Sequence, residues 1–379
     1  MESSTFETET YYPDNGTENI LEEEPEVVFW AWFQMMCLVL AIVGFLGNLL
    51  VVLVIIRQQR RRTSTDKLIL ALAVADLLTS IFIIPIPTPS SLPYGVLGEL
   101  YCKVVYSSVC MWISIMASVF TLIMISGERY VAVCYPFRYQ RLFAGYRPDI
   151  ILCVIWIISF IINTNSFYVS FVDTPGVNCT VKFPTPEFQM FFGIVLFLVE
   201  YLIPVIIMLM ANVYTIRALN HQARSLVAKR DKRSGPALKL LQARRKVIEM
   251  LFVVVIIFVI CWTPDQIGYL AFNIGLVEVD FLYSPVYRSF VALAFCNSCA
   301  NPFIYAARNP NFRRALKELV MFSPIGGSIF NQGGPGFTDR FELSQTQGTI
   351  RGVLVNGRKP SLQGCLEVPE TSQKTASTM

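Results

Sequence analysis

Charge is scarce in this chain. Asp, Glu, Lys and Arg make up 15% of its 379 residues, whereas 54% are hydrophobic. A soluble domain carries about 25% charged residues, and here the deficit is gathered into long apolar blocks, the mark of a polytopic membrane protein. Histidine is scarcer still. His221 is the only one, and zinc centres, Ser-His-Asp triads and Cys-His dyads each need a placed imidazole. The expectation is a protein that is not an enzyme. The first 56 residues contain no Lys or Arg. Residues 1–26 also lack the basic start and apolar centre of a secretory signal, so the first apolar block is expected to act as its own insertion signal. A net charge of +4 gives no reason to expect a nucleic-acid partner.

Seven blocks have the roughly 20 apolar residues that a helix needs to cross the hydrocarbon. They lie at about 27–56, 67–88, 103–134, 149–172, 188–217, 247–273 and 284–307. Each is continuous and does not alternate apolar with polar, which predicts helices rather than barrel strands. Positive charge sets the orientation. "RQQRRRTSTDK" after the first block holds five Lys/Arg, and Arg217 to Lys246 holds ten against the single acid Asp231. Arg138, Arg141 and Arg147 join them, while the opposite loops hold only Lys103, Lys182 and Arg288. This predicts an extracellular N-terminus and a cytoplasmic C-terminus in a multi-pass plasma-membrane protein. Asn15-Gly16-Thr17 is a glycosylation sequon on the outer side. Asn178-Cys179-Thr180 also fits, but a bonded middle cysteine would hinder its use.

The expected organisation is an acidic extracellular tail (1–26), a helical bundle (27–308), a short amphipathic cytoplasmic helix (309–320) and a disordered cytoplasmic tail (321–379). Of ten cysteines, only Cys102 and Cys179 fall at the outer boundary. A bridge between them would tie the loop after helix four to the top of helix three; two free thiols are the alternative.

Polar groups inside spanning helices cost free energy, about 2.5–3.5 kcal/mol for a central Asp on insertion scales. Asn48, Asp76, Ser118, Asn297, Ser298 and Asn301 nonetheless form one inventory at similar depth. It reads either as scattered interhelical hydrogen bonds or as one water-filled pocket around Asp76, able to hold a small cation such as sodium. No other cofactor or metal is expected. Pro204, Pro264 and Pro302 interrupt helices five, six and seven. Trp262 precedes one kink, with Phe258 one turn deeper. A ring at a hinge can turn a ligand contact above it into helix movement below.

These residues resemble the rhodopsin-like (class A) G-protein-coupled receptors over roughly residues 27–320. The resemblance rests on Gly47-Asn48, "LAVAD" with Asp76, "ERY" at 128–130, Trp156, Pro204, "CWTP" at 261–264, "NPFIY" at 301–305 and "FRRALK" at 312–317. It implies a seven-transmembrane all-α bundle with an eighth cytoplasmic helix. It implies that Glu128 restrains Arg129 at rest, and that Arg129, Tyr130, Pro136, Asn301, Pro302 and Tyr305 serve activation and coupling to a heterotrimeric G protein. Receptor kinases, arrestin and membrane lipid are the further partners it implies, with Ser372, Thr375, Ser377 and Thr378 as kinase targets.

The departures from the family pattern are specific. Cys102 lies 27 positions before Arg129, two more than usual, so a bulge or extension is expected in upper helix three. Gly95 stands where the first outer loop commonly has Trp. Asn212 stands where many members have an activating tyrosine, which leaves open whether Tyr214 substitutes. Arg244 stands where a lock to helix three would need an acid.

For the ligand, an opsin would need a Schiff-base lysine where this chain has Phe295. An amine receptor would need an aspartate at Met111, and no acid lies between Cys102 and Ser126. What the outer half does have is Glu200, one turn above Pro204, and Asp265, next to Pro264. They are either ligand contacts or a buried polar network with Tyr106, Gln266 or each other. The nine acids among residues 1–26 add an electronegative mouth. The expectation is a neuropeptide receptor whose ligand carries a basic group, contacted by Glu200, Asp265, Gln266, Met111 and Tyr106. A biogenic-amine or other small-molecule receptor is the alternative. A secondary transporter or channel is more remote, because no inverted repeat relates helices one–three to five–seven.

Overall fold

Helix boundaries follow from where the sequence supplies caps and prolines. The computed structural model describes residues 25–57, 63–84, 92, 95–172, 179–228, 234–308 and 310–321. Seven long helices are present: α1 (Pro25–Arg57), α2 (Ser64–Phe82), α3 (Val109–Cys134), α4 (Arg147–Asn163), α5 (Ile203–Ala228), α6 (Ser234–Asn273) and α7 (Pro285–Arg308). A further helix, α8, spans Pro310–Met321. Among the described residues, six helical stretches are long and apolar enough to cross a membrane. The helix α2 is not one of them, because Asp66, Lys67 and Asp76 put three charges into its 19 residues.

The bundle closes as a ring around α3, which packs on α2, α4 and α5. α7 packs on α1, α2 and α6, and α5 on α6. The distribution of polarity is inverted relative to a soluble protein. Asn48, Asp76, Ser118, Glu128 and Asn301 are buried, while Ile42, Leu46, Ile157, Ile161 and Phe303 lie on the outside. Apolar side chains facing outward and polar ones inward suit a lipid surround, in which an unpaired polar group has no water to bond.

Several ends differ from the expected blocks. The second block was expected to run to 88, but α2 stops at Phe82 because prolines at 85, 87 and 89 follow and disfavour helix in the preceding residue. Its start is fixed by a capping box, in which Asp66 N donates to Thr63 Oγ1 and Thr63 N to Asp66 Oδ2. The fourth block was expected to run to 172. Instead α4 ends at Asn163, and a turn and a short helix lead to strand β1, Ser170–Val172. β1 pairs antiparallel with β2, Cys179–Val181, with Val172 opposite Cys179. The sequence carries no signal for these strands, which have three residues each. The fifth and sixth helices overrun their blocks, to Ala228 and from Ser234, carrying basic residues beyond the apolar core.

Two one-turn π-helices reshape the outer half. The first, Tyr101–Tyr106, ends in a turn where Ser108 has φ 52°, and only then does α3 begin. This is the bulge that the two extra residues between Cys102 and Arg129 foreshadow. The second, Phe197–Leu202, joins Pro186–Leu196 to α5. Its cause lies just beyond it. Pro204 has no N–H for the Glu200 carbonyl, and its ring would clash there, so the chain takes up a wider turn.

Candidate functional site

At the C-terminal end of α3, Arg129 Nε lies 2.9 Å from Glu128 Oε2. Glu128 is wholly buried and is held by two more groups: Thr65 Oγ1 donates to Oε1 at 2.9 Å and Tyr139 OH at 2.8 Å. Thr65 and Tyr139 were missed in the sequence. Tyr139 reaches Glu128 because Pro136 starts a short helix, Pro136–Phe143, where a loop was expected; proline suits a first helical turn. Tyr130 packs edge-on against Tyr135, and its ring lies 6.4 Å from that of Tyr214. The buried Asn212 reaches Ser126 Oγ of α3 at 3.5 Å. The side chain of Arg244 lies outside the described residues, as do Asn15, the acidic tail and the C-terminal serines and threonines.

In the middle of the bundle, Asp76 is fully buried. Ser118 Oγ donates to its Oδ1 and Asn301 Nδ2 to its Oδ2, each at 2.8 Å. Ser298 is buried beside this cluster. Asn48 does not join this cluster directly. Its Nδ2 donates to the Gly44 and Ser298 carbonyls, while its buried Oδ1 has no partner among the described residues. Asn297 is buried but makes no hydrogen bond to Asp76 among the described residues. Pro302 packs closely on Gly47, where an added Cβ would come within 3.0 Å of the proline ring. Tyr305 is buried against Phe312 of α8.

Above this layer the rings form a chain from α6 to α5. Trp262 lies 6.3 Å from Phe258, Phe258 6.3 Å from Tyr201, and Tyr201 5.6 Å from Phe197. The Tyr201 hydroxyl also bonds Thr263. Met111 is buried in the same core as Trp262.

Glu200 lies on the π turn that packs against α6, the helix that carries Asp265, and the two acids bear on each other's charge. Asp265 is 2% exposed. Its Oδ2 receives Gln266 Nε2 at a long 3.5 Å, the Tyr287 hydroxyl approaches the carboxyl, and Oδ1 has no partner among the described residues. Tyr106 is not part of this network. The outer π turn carries it toward Tyr283 and Arg288, and Arg288 itself stacks over Phe33 and Tyr283. Tyr287, Tyr269 and Asn273 were missed. The helical spacing of Tyr269 and Asn273 from Asp265 could have found those two.

Cys102 and Cys179 form a disulfide with a Cα–Cα distance of 5.4 Å. It pins β2 to the first π turn and roofs the bundle.

Seven helices enclosing a polar interior, a latched acid–arginine pair at one end and a disulfide roof at the other define a seven-transmembrane receptor. The family model described as "7 transmembrane receptor (rhodopsin family)" matches residues 47–305, and the chain belongs to that family, whose members are receptors and not enzymes. An allatostatin-A receptor of Bombyx mori is 28% identical over 323 residues, covering 83% of this chain and 84% of that protein. Somatostatin receptor type 2 of Mus musculus is 26% identical over 354 residues, with 91% of each chain covered. Its counterpart in Sus scrofa is 25% identical over 364 residues, 94% of each. Family membership removes the transporter or channel reading.

Proposed function

We propose that this protein is a plasma-membrane receptor, N-terminus outside, that binds an extracellular peptide carrying a basic group and activates heterotrimeric G proteins. The observation that carries the reading is the pairing of two unlike ends in one bundle. The outer end holds the unneutralised acids Glu200 and Asp265, and the inner end holds Arg129 latched to Glu128. Trp262, two residues before Pro264, lies between them on α6. A ligand drawing α5 and α6 together above that proline has different affinities for two bundle states, which is what activation requires. Similarity to receptors named for the peptides allatostatin and somatostatin supports a peptide ligand.

The Asp76 cluster fits sodium. A carboxylate and the hydroxyl of Ser118 are hard oxygen donors, the type that alkali and alkaline-earth cations take. The amphipathic helix α8 would lie against cytoplasmic lipid, and the tail beyond it would supply sites for receptor kinases and arrestin. The direct test is nucleotide exchange by purified heterotrimeric G protein on receptor-containing membranes, challenged with a neuropeptide library. Peptide-dependent exchange is the expected result. Exchange driven by amines and by no peptide would overturn the ligand class.

A further inference from the structure

One face of α6 holds a row of unsatisfied polar atoms. Trp262, Asp265, Tyr269 and Asn273 are spaced by three, four and four residues, which places them one above another on a helix. Trp262 Nε1, Asp265 Oδ1 and Asn273 Oδ1 are all buried and have no hydrogen-bond partner among the described residues. Buried polar atoms are ordinarily paired, so three orphans on one stripe are more than incidental packing. Glu200, across on the π turn that leads into α5, likewise makes no hydrogen bond among the described residues, and the groups acting on its charge and on that of Asp265 include no cation.

We propose that Glu200 and Asp265 together clamp a single guanidinium of the ligand, an arginine side chain, while Asn273 accepts an amide N–H of the same peptide farther out. This rests on the peptide-receptor reading and names the chemistry of its site. Two carboxylates on separate helices present four acceptor oxygens. A guanidinium offers five donors in a plane and can bridge them, whereas an ammonium has three and no fork. One turn deeper on the stripe, the Trp262 ring offers the cation an aromatic face. Asp265 and Asn273 are eight residues apart, about 12 Å of helix rise, which three to four residues of extended chain can span.

A guanidinium between the two acids would have to displace the Tyr287 side chain, a neighbour of Asp265. Tyr287 approaches Asp265 from α7, and its ring is admitted by Gly268, where an added Cβ would lie 3.1 Å from the ring. Entry of arginine therefore exchanges a phenol for a charge-assisted pair and releases α7 from α6 at that point.

The test uses full-length receptor in lipid nanodiscs and three small probes: the Nα-acetyl amides of arginine, lysine and citrulline. Citrulline keeps the arginine shape and lacks its charge. At roughly tenfold excess over its dissociation constant, acetyl-arginine amide should raise the unfolding midpoint by about 3 °C. Acetyl-lysine amide should do less and acetyl-citrulline amide nothing. The arginine shift should vanish in Glu200→Gln/Asp265→Asn. No shift from arginine, an equal shift from citrulline, or a shift kept in the folded double variant each overturns the proposal. The first two comparisons need only the native protein, so a variant that fails to fold does not rescue it. Peptide-driven exchange without any arginine effect would sink the clamp and leave the receptor function standing. Arginine stabilisation without any peptide-driven exchange would do the reverse.

Discussion

Asn301 and Asp76 are 225 positions apart in sequence, yet Asn301 Nδ2 donates to Asp76 Oδ2 at 2.8 Å and fastens α7 to α2. Ser118 closes the same carboxylate from α3. One buried charge thus sets the relation of three helices.

That relation gives the first prediction. If a sodium ion prefers the resting arrangement around Asp76, linkage requires it to oppose activation. Sodium titration should lower basal nucleotide exchange in the native receptor and leave Asp76→Asn indifferent. Equal sodium dependence in both would reduce Asp76 to a structural hydrogen-bond acceptor.

At the inner end, Arg129→Ala should abolish exchange while leaving peptide affinity within about tenfold, roughly 1.4 kcal/mol. Glu128→Gln should do the opposite and raise basal exchange, because it loosens the latch. Tyr139→Phe removes one of three holds on Glu128. A hydrogen bond to a charged group contributes about 1.5–3 kcal/mol, so that variant should raise basal exchange too, by less than Glu128→Gln. Unchanged basal exchange in both would mean that the pair is not a latch.

The disulfide is accessible to chemistry. Replacing Cys102 or Cys179 with serine should lower surface expression and peptide binding, because β2 loses its anchor to the outer π turn. Alkylation of the denatured, unreduced native protein should leave both residues unlabelled. Labelling of both would contradict the bond.

How much of this was legible in the sequence depends on the range of the forces involved. The helices, their burial and the Asp76 cluster follow from apolar length and from polar residues that have nowhere else to go, so Asp76, Ser118 and Asn301 were found together. The two-residue excess between Cys102 and Arg129 announced the outer bulge. Thr65 and Tyr139 were invisible because their meeting with Glu128 depends on how α2 and the Pro136 helix pack on α3. The β1–β2 hairpin was invisible because three-residue strands carry no periodicity. Tyr106 lies apart from the acids for a related reason: the π turn and the left-handed Ser108 carry it toward Tyr283 and Arg288, and a straight helix does not predict that rotation.

The last prediction concerns the turn that positions Glu200. The π turn Phe197–Leu202 exists because Pro204 cannot donate to the Glu200 carbonyl. Pro204→Ala restores that donor and removes the clash, so the segment should relax to a regular helix. Taking up the extra residue of the π turn rotates everything on its outer side by about 100°, the angle between neighbours at 3.6 residues per turn. Glu200 would then turn away from Asp265. The variant should fold at least as stably as the native receptor, since an interior proline costs about 3 kcal/mol in a helix. It should nevertheless lose the stabilisation by acetyl-arginine amide as fully as Glu200→Gln does. Basal exchange should survive, because Arg129 and Glu128 lie at the other end of the bundle. A Pro204→Ala receptor that still answers to arginine would show that the acid on α5 is placed by something other than this turn.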